Sequence, residues 1–155
     1  FNGHIQVHEV YVLAGGRRVP GWTGRPSLFH YLTHEHALET LCELPPGLAS
    51  LLEIGNEAPL LLALTAFPCR AAWQHGEACF RYTQLDAGHH LAHTCCMAAG
   101  LGARCRQLDR GLSDWELAGL LGLDDPRAGA QQPQWLLAVS TPGSPEGWWS
   151  SHWEM

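Results

Sequence analysis

The stretch Trp73–Leu123, WQHGEACFRYTQLDAGHHLAHTCCMAAGLGARCRQLDRGLSDWELAGLLGL, decides the fold. With the residues just before it, it predicts a long helical region over 70–100, interrupted at Gly76. From Phe80 onward small residues accumulate: Ala87, Gly88, Ala92, Cys95, Cys96, Ala98, Ala99 and Gly100. A helix with small residues most of the way round is expected to pack closely on several sides. Gly100 and Gly102 are its stop signals. Ala103–Leu108 reads as a strand. Ser113-Asp114-Trp115-Glu116 then forms a capping box, with Ser at the N-cap and Glu at N3. Leu117, Leu120 and Leu121 supply that helix's apolar face, and Gly122 ends it.

Outward from this stretch the pattern turns to strands. Upstream, Pro59–Ala66 (PLLLALTA) is a near-continuous apolar run of strand length, the mark of a central strand covered on both faces. Glu9–Ala14 is a strand, and Leu28–Leu32 with Ala37–Leu41 make a hairpin around a polar turn. Pro45 and Pro46 open a short helix over Gly47–Ile54. Downstream, Asp125–Pro133 is a loop and Gln134–Ser140 (QWLLAVS) a last strand. The order β-β-β-α-β-α-β-α-β predicts an α+β domain, with helices collected around one mixed sheet. Residues 1–143 form that domain, and 144–155 form a tail carrying Trp148, Trp149 and Trp153. The tail reads either as an arm on a partner subunit or as a disordered end.

Composition narrows the function classes. The chain has 155 residues and a net charge of −6, and its nine basic residues are all arginine. An acidic chain without a basic stripe is a poor nucleic-acid binder, since that affinity rests on neutralising phosphates. Without lysine, no lysine Schiff base can form. No run approaches the roughly 20 apolar residues of a membrane-spanning helix, and no basic segment opens a secretory signal. A cytoplasmic setting is expected. Phe1 is not a natural start, so residues upstream are expected to be missing. The six cysteines, at 42, 69, 79, 95, 96 and 105, show no CxxC spacing and read as small buried hydrophobes in a reducing compartment.

Ten histidines invite a metal reading. His89 and His93 share a helix face at i, i+4, and His30, His34 and His36 form a second cluster. Neither cluster declares the third and fourth ligands that zinc needs, so no metal ligand is assigned. No GxSxG elbow, GxGxxG loop or Walker loop occurs. Asp86-Ala87-Gly88-His89 is more informative. Glycine inside a helix costs about 1 kcal/mol relative to alanine, so Gly88 implies close approach, by a neighbouring helix or by a ligand.

Several collinear pieces resemble one family. Ala72-Trp73-Gln74-His75-Gly76-Glu77-Ala78-Cys79-Phe80-Arg81-Tyr82, then Asp86-Ala87-Gly88-His89, then Ala98-Ala99-Gly100-Leu101-Gly102 are similar to the nitroreductase superfamily, and more narrowly to its SagB/ThcOx-type dehydrogenases. Their signature runs A-W-K-Y-G-E-R-x-[FY]-R-Y, then D-x-G-H, then a Gly-rich exit. Ser113–Leu123 resembles the family's short helix ending in L-L-G-L. Phe29-His30-Tyr31 and Glu35-His36-Ala37-Leu38-Glu39 resemble its Y-H-Y and E-H-A-L-E hairpin.

The resemblance implies a dimeric flavin fold, with FMN at the interface of a homodimer or of a heterodimer with a related subunit. It further implies hydride transfer through flavin N5 to or from a small aromatic, nitro or peptide-derived substrate. Family position sets Leu108-Asp109-Arg110-Gly111 against the flavin ring, with Asn2, Gly3 and His4 at its edge. Arg104, Arg106 and Arg110 are the nearest phosphate candidates. The departures are specific. The family's arginine-rich N-terminal segment has no counterpart here. Its flavin loop, S-S-G-N-L-H-P-T-E-x-Y, is matched in Phe1–Tyr11 only at Gly3, Glu9 and Tyr11. Gln74-His75 stands where the family has Lys-Tyr, and Ala78 where it has Arg. His75 is the one candidate for proton transfer near neutral pH. The same departures suit a second reading, a catalytically inactive nitroreductase-like subunit that scaffolds an active flavin enzyme.

Overall fold

A computed structural model describes residues 5–15, 24–47, 60–108, 113–123 and 131–140. Its strands are β1 (His8–Ala14), β2 (Ser27–Leu32), β3 (Ala37–Glu43), β4 (Leu60–Ala66), β5 (Cys105–Gln107) and β6 (Gln132–Val139). Its helices are α1 (Cys69–His75), α2 (Cys79–Gly100) and α3 (Asp114–Leu120), with a 3-10 turn at Gly76–Ala78 between α1 and α2. Of the helix expected over Gly47–Ile54, only Gly47 is described, and it is helical; the remainder and the tail 144–155 lie outside the described residues.

The strands form one sheet in the order β3-β2-β1-β4-β6-β5. The α+β class holds, but the expected mixed sheet is antiparallel at every pairing. The run PLLLALTA is central as expected, with β4 between β1 and β6. Its side chains alternate. Leu61 and Ala63 join Tyr11, Leu13, Leu136 and Ala138 beneath α3, with Leu117 and Leu121 of that helix region. Leu62 and Leu64 join Trp135, Leu137 and Val139 beneath α2, with Ala87 and Ala98. Each fully buried leucine contributes roughly 1.5–3 kcal/mol, so both covered faces stabilise this strand. Strand β6 begins two residues earlier than expected and takes in Pro133. A register shift at Leu64/Thr65 accommodates the proline, which has no N–H to donate.

Local punctuation is obeyed. Gly76, at φ 54°, separates α1 from the 3-10 turn. Gly100 remains helical, and the true stop is Gly102 at φ 75°, where the Ala103 N–H reaches back to Ala98 O at 2.8 Å. The capping box is complete: Ser113 Oγ accepts from Glu116 N–H, and Glu116 Oε2 accepts from Ser113 N–H at 2.7 Å.

Helix α2 departs from expectation in its surroundings. Only Thr83, Ala87 and Ala98 of its 22 residues are buried. Phe80, Tyr82, Leu85 and Met97 are exposed. A Cβ added at Gly88 would meet nothing within 4 Å. The close packing expected on several sides is supplied by this chain on one side alone.

Candidate functional site

The sheet's α2 face opens into a cleft of about 380 Å³, bounded by the approach to β1, the β2–β3 turn and one flank of α2. Strand alternation directs His8 and Val10 toward α2 while Tyr11 and Leu13 point the other way. On the helix, Asp86, His89, His90 and His93 recur at three- and four-residue spacing and line the same cleft. Ile5, Val7 and Val10 give it apolar walls, and Thr33 donates to Gln6 Oε1 at 3.3 Å across its rim.

His8 is the buried member, 6% exposed. Its Nε2 lies 3.2 Å from Thr83 O. A carbonyl can only accept, so Nε2 carries the proton and Nδ1 is left as the acceptor of the neutral ring. The ring meets His90 edge to face at 5.0 Å, and His89 stacks on His93 at 5.6 Å. Burial lowers the His8 pKa, and the neighbouring His90 lowers it further against the bond to Thr83. Burial likewise lowers the His90 pKa, with Asp86 opposing. At neutral pH both rings are therefore uncharged. The cleft offers neutral imidazoles and apolar walls, with no arginine among its lining residues.

Among the described residues, those singled out in the sequence are not gathered into one place. His75 closes α1, away from the cleft lining, with its ring against Tyr82 at 5.0 Å. Its Nε2 is buried without a hydrogen-bond partner. Leu108 is held to the sheet: its N–H donates to Leu136 O at 2.8 Å, which commits the donor expected to face a flavin. Arg104 joins Ser140, whose Oγ accepts from its N–H at 2.9 Å. Asn2, Gly3, His4, Asp109, Arg110 and Gly111 lie outside the described residues. Glu9 and Tyr11, which match the family's flavin loop, serve the sheet. Glu9 binds Arg70 Nη1 at 2.6 Å and His30 Nε2 at 3.1 Å. The Tyr11 hydroxyl accepts from Gln131 Nε2 at 3.1 Å, and the same amide reaches Thr65 Oγ1.

Sequence reasoning missed His8 and His90 as a pair. The helical spacing of Asp86, His89 and His93 was the available signal, but the contact with His8 crosses from strand to helix. Among the described residues, no group of three or more His, Cys, Asp or Glu side chains is placed to hold a metal ion. No helix there is long and apolar enough to cross a membrane.

Comparison with known proteins gives the class. No protein-family profile matches the chain, and no curated protein matches it. Solved structures do. A protein named a nitroreductase from Anabaena variabilis is similar over 88% of this chain and 28% of its own, at 26% identity and a TM-score of 0.70. A chain of the E. coli microcin synthetase McbBCD complex, bound to truncated pro-MccB17, is similar over 89% of this chain and 53% of its own, at 18% identity and a TM-score of 0.70. A protein named a nitroreductase from Ralstonia eutropha is similar over 88% and 58%, at 20% identity and a TM-score of 0.62. The chain thus spans 28% to 58% of the length of these structures. These likenesses support the nitroreductase superfamily, whose α+β layer this antiparallel sheet matches. The fold is that of the nitroreductases, and the SagB-type resemblance is supported by the same likenesses.

Proposed function

We propose that this chain is a subunit of an FMN-dependent oxidoreductase, with the cleft between β1 and α2 forming part of the cofactor's surroundings. The observation that carries this reading is the cleft's position. It begins at Ile5, directly after Asn2, Gly3 and His4, which the family resemblance assigns to the flavin edge. Its volume of about 380 Å³ falls within the range usual for cofactor clefts. Apolar walls and uncharged imidazoles suit a planar, neutral ring system. Bound FMN would supply hydride exchange at N5, to or from a small aromatic, nitro or peptide-derived substrate. The chain's own residues would shield the ring from water and hold a proton at His8 Nε2. The phosphate charge is not met by the cleft's lining, so Arg104, Arg106, Arg110 or a partner subunit must meet it.

The exposed side of α2 supports assembly. Phe80, Leu85 and Met97 are large apolar groups on a helix whose glycine at 88 leaves room for a close neighbour. A homodimer or a heterodimer with a related subunit would cover them. Purified protein should take up FMN, turn yellow and melt at a higher temperature with it. Colourless protein whose melting temperature ignores FMN would overturn the reading for this chain alone.

A second reading, the inactive scaffolding subunit, is favoured by one specific feature. His75, the side chain that the family resemblance offers for proton transfer, lies away from the cleft lining with its Nε2 buried and unpartnered. In that case the chain would form a stable complex with a flavin-loaded partner while showing no nitroaromatic or quinone reduction alone. Reduction of either by the isolated chain with NAD(P)H would remove this reading.

A further inference from the structure

The six cysteines are all free thiols, and two of them are neighbours in space. Elementary geometry brings this about. From Cys95 to Leu101 the chain climbs α2 by about 9 Å, at 1.5 Å per residue. Gly102, at φ 75°, reverses it, and the bond from Ala103 N–H to Ala98 O pins the reversal. From Gly102 to Cys105 the extended chain returns about 10 Å, at 3.3 Å per residue. Cys105 therefore comes back level with Cys95. Both pack against the same buried cluster, which includes Leu64, Leu137 and Val139. The two thiols lie close enough for Cys95 to raise the Cys105 pKa. Both are half-buried, whereas the adjacent Cys96 is exposed.

We propose that Cys95 and Cys105 are a redox-active pair that closes to a disulfide joining α2 to β5 when a low-molecular-weight disulfide, such as oxidised glutathione, is in excess. The Cys95 sulfur attacks the glutathione disulfide, forming a mixed disulfide and releasing one glutathione thiol. The Cys105 sulfur then attacks Cys95 Sγ and expels the second glutathione. Two protein thiols give up two electrons and two protons, and one glutathione disulfide becomes two thiols. Burial first, and then the neighbouring Cys95, push the Cys105 thiol up to about 11. The closing step is therefore slow at neutral pH and accelerates by up to tenfold per pH unit toward alkaline solution. The same lack of thiolate stabilisation keeps the closed disulfide resistant to reduction, the reverse of a strongly oxidising dithiol.

The test uses the whole chain with excess oxidised glutathione at pH 7 and pH 9, followed by thiol counting in denaturant and peptide mapping. Cleavage after Arg81, Arg104 and Arg106 separates the peptide holding Cys95 and Cys96 from the dipeptide Cys105-Arg106. The expected product links these two fragments within one chain, forms faster at pH 9, persists in Cys96→Ser and is lost in Cys105→Ser. The proposal falls if Cys95 and Cys105 are recovered unlinked while Cys96 carries glutathione. It also falls if the link runs through Cys96 or between two chains. None of these readouts depends on flavin, so the result is independent of the cofactor reading above.

Discussion

The indole Nε1–H of Trp135 donates to the carbonyl of Ala87 at 3.0 Å, tying strand β6 to the middle of helix α2. One turn earlier, His8 of β1 makes the same kind of bond to Thr83 O. Helix carbonyls already accept from the next turn, and their second lone pair is free for this use. Two side chains on different strands thus fix the height and rotation of a helix that buries little of its own surface. Trp135→Phe keeps most of the ring but loses the donor, and should cost about 1–2 kcal/mol. Trp135→Ala also opens a cavity and should cost about 3–5 kcal/mol. Urea unfolding followed by circular dichroism checks both. Equal costs for the two substitutions would show that the hydrogen bond, not the ring, dominates.

Acid should loosen the same joint. The pKa values of His8 and His90 are lowered in the folded chain, each chiefly by burial, while the unfolded chain titrates near the ordinary 6.5. The unfolded state then binds more protons just below pH 6.5, so stability rises with pH through that window. The contribution is complete above about pH 6.5 and is lost as the pH falls toward the folded values. His8 faces His90, with Asp86 nearby, and His90 also faces His89 and His93, so these are the charged and titratable neighbours of the pair. Urea midpoints between pH 7.5 and 5.5 should fall, and His8→Gln should flatten the slope. An unchanged slope in that variant would assign the effect elsewhere.

How much of this was legible depends on distance along the chain. The capping box at Ser113, the break at Gly76 and the central strand before Phe67 are written within a few neighbouring residues, and all appear where read. Glu9 and Tyr11 are different. Both fit a family loop pattern, yet Glu9 binds Arg70, 61 positions away, and Tyr11 binds Gln131, 120 positions away. No local pattern encodes such a pairing. The antiparallel character of the whole sheet was hidden for the same reason. Strand spacing fixes which segments extend, while strand direction is set by pairings between distant segments, such as β1 with β4 and β4 with β6.

The Glu9–Arg70–His30 group makes its own prediction. Glu9 is shielded, with its side chain 15% exposed, while Arg70 is 41% exposed and lies over the Phe67 ring at 4.0 Å. Solvent around Arg70 discounts the ion pair, so Arg70→Ala should cost about 1 kcal/mol, part of it from the lost stacking. A double-mutant cycle with Glu9→Gln should give a coupling of about 0.5–1 kcal/mol that shrinks at high salt. A coupling indifferent to salt would mean that hydrogen bonding, rather than charge, holds α1 to the sheet.

The helix cap offers a local control. Ser113 and Glu116 bond reciprocally, and these bonds lower the Glu116 pKa. Ser113→Ala should cost about 1 kcal/mol, the usual value of an N-cap. Ser113→Asp should restore most of it. Because the lowered carboxylate favours the folded state only when ionised, the cap weakens as the pH falls through the acid range. Thermal melting at pH 7 ranks the three proteins, and failure of aspartate to rescue would show that the hydroxyl is needed for its own donation to Glu116 Oε2.

Assembly is tested on the outer side of α2. Leu85 and Met97 are 64% and 62% exposed, and Gly88 has open space above it. A charge at either position touches nothing in the chain's own core, so Leu85→Glu and Met97→Glu should change the free energy of unfolding of the isolated subunit by less than about 0.5 kcal/mol. If a partner covers this face, the same charges are stranded in an apolar interface and should weaken association by tenfold or more. Sedimentation velocity separates the two effects, since helical content reports the fold while the sedimentation coefficient reports the partner. Gly88→Leu sharpens the comparison. Leucine is a better helix former than glycine, so it should stabilise the isolated helix while blocking a close neighbour. A variant that gains stability and loses its partner would mark the glycine as an interface residue. One that gains stability and keeps its partner would put the interface on another surface.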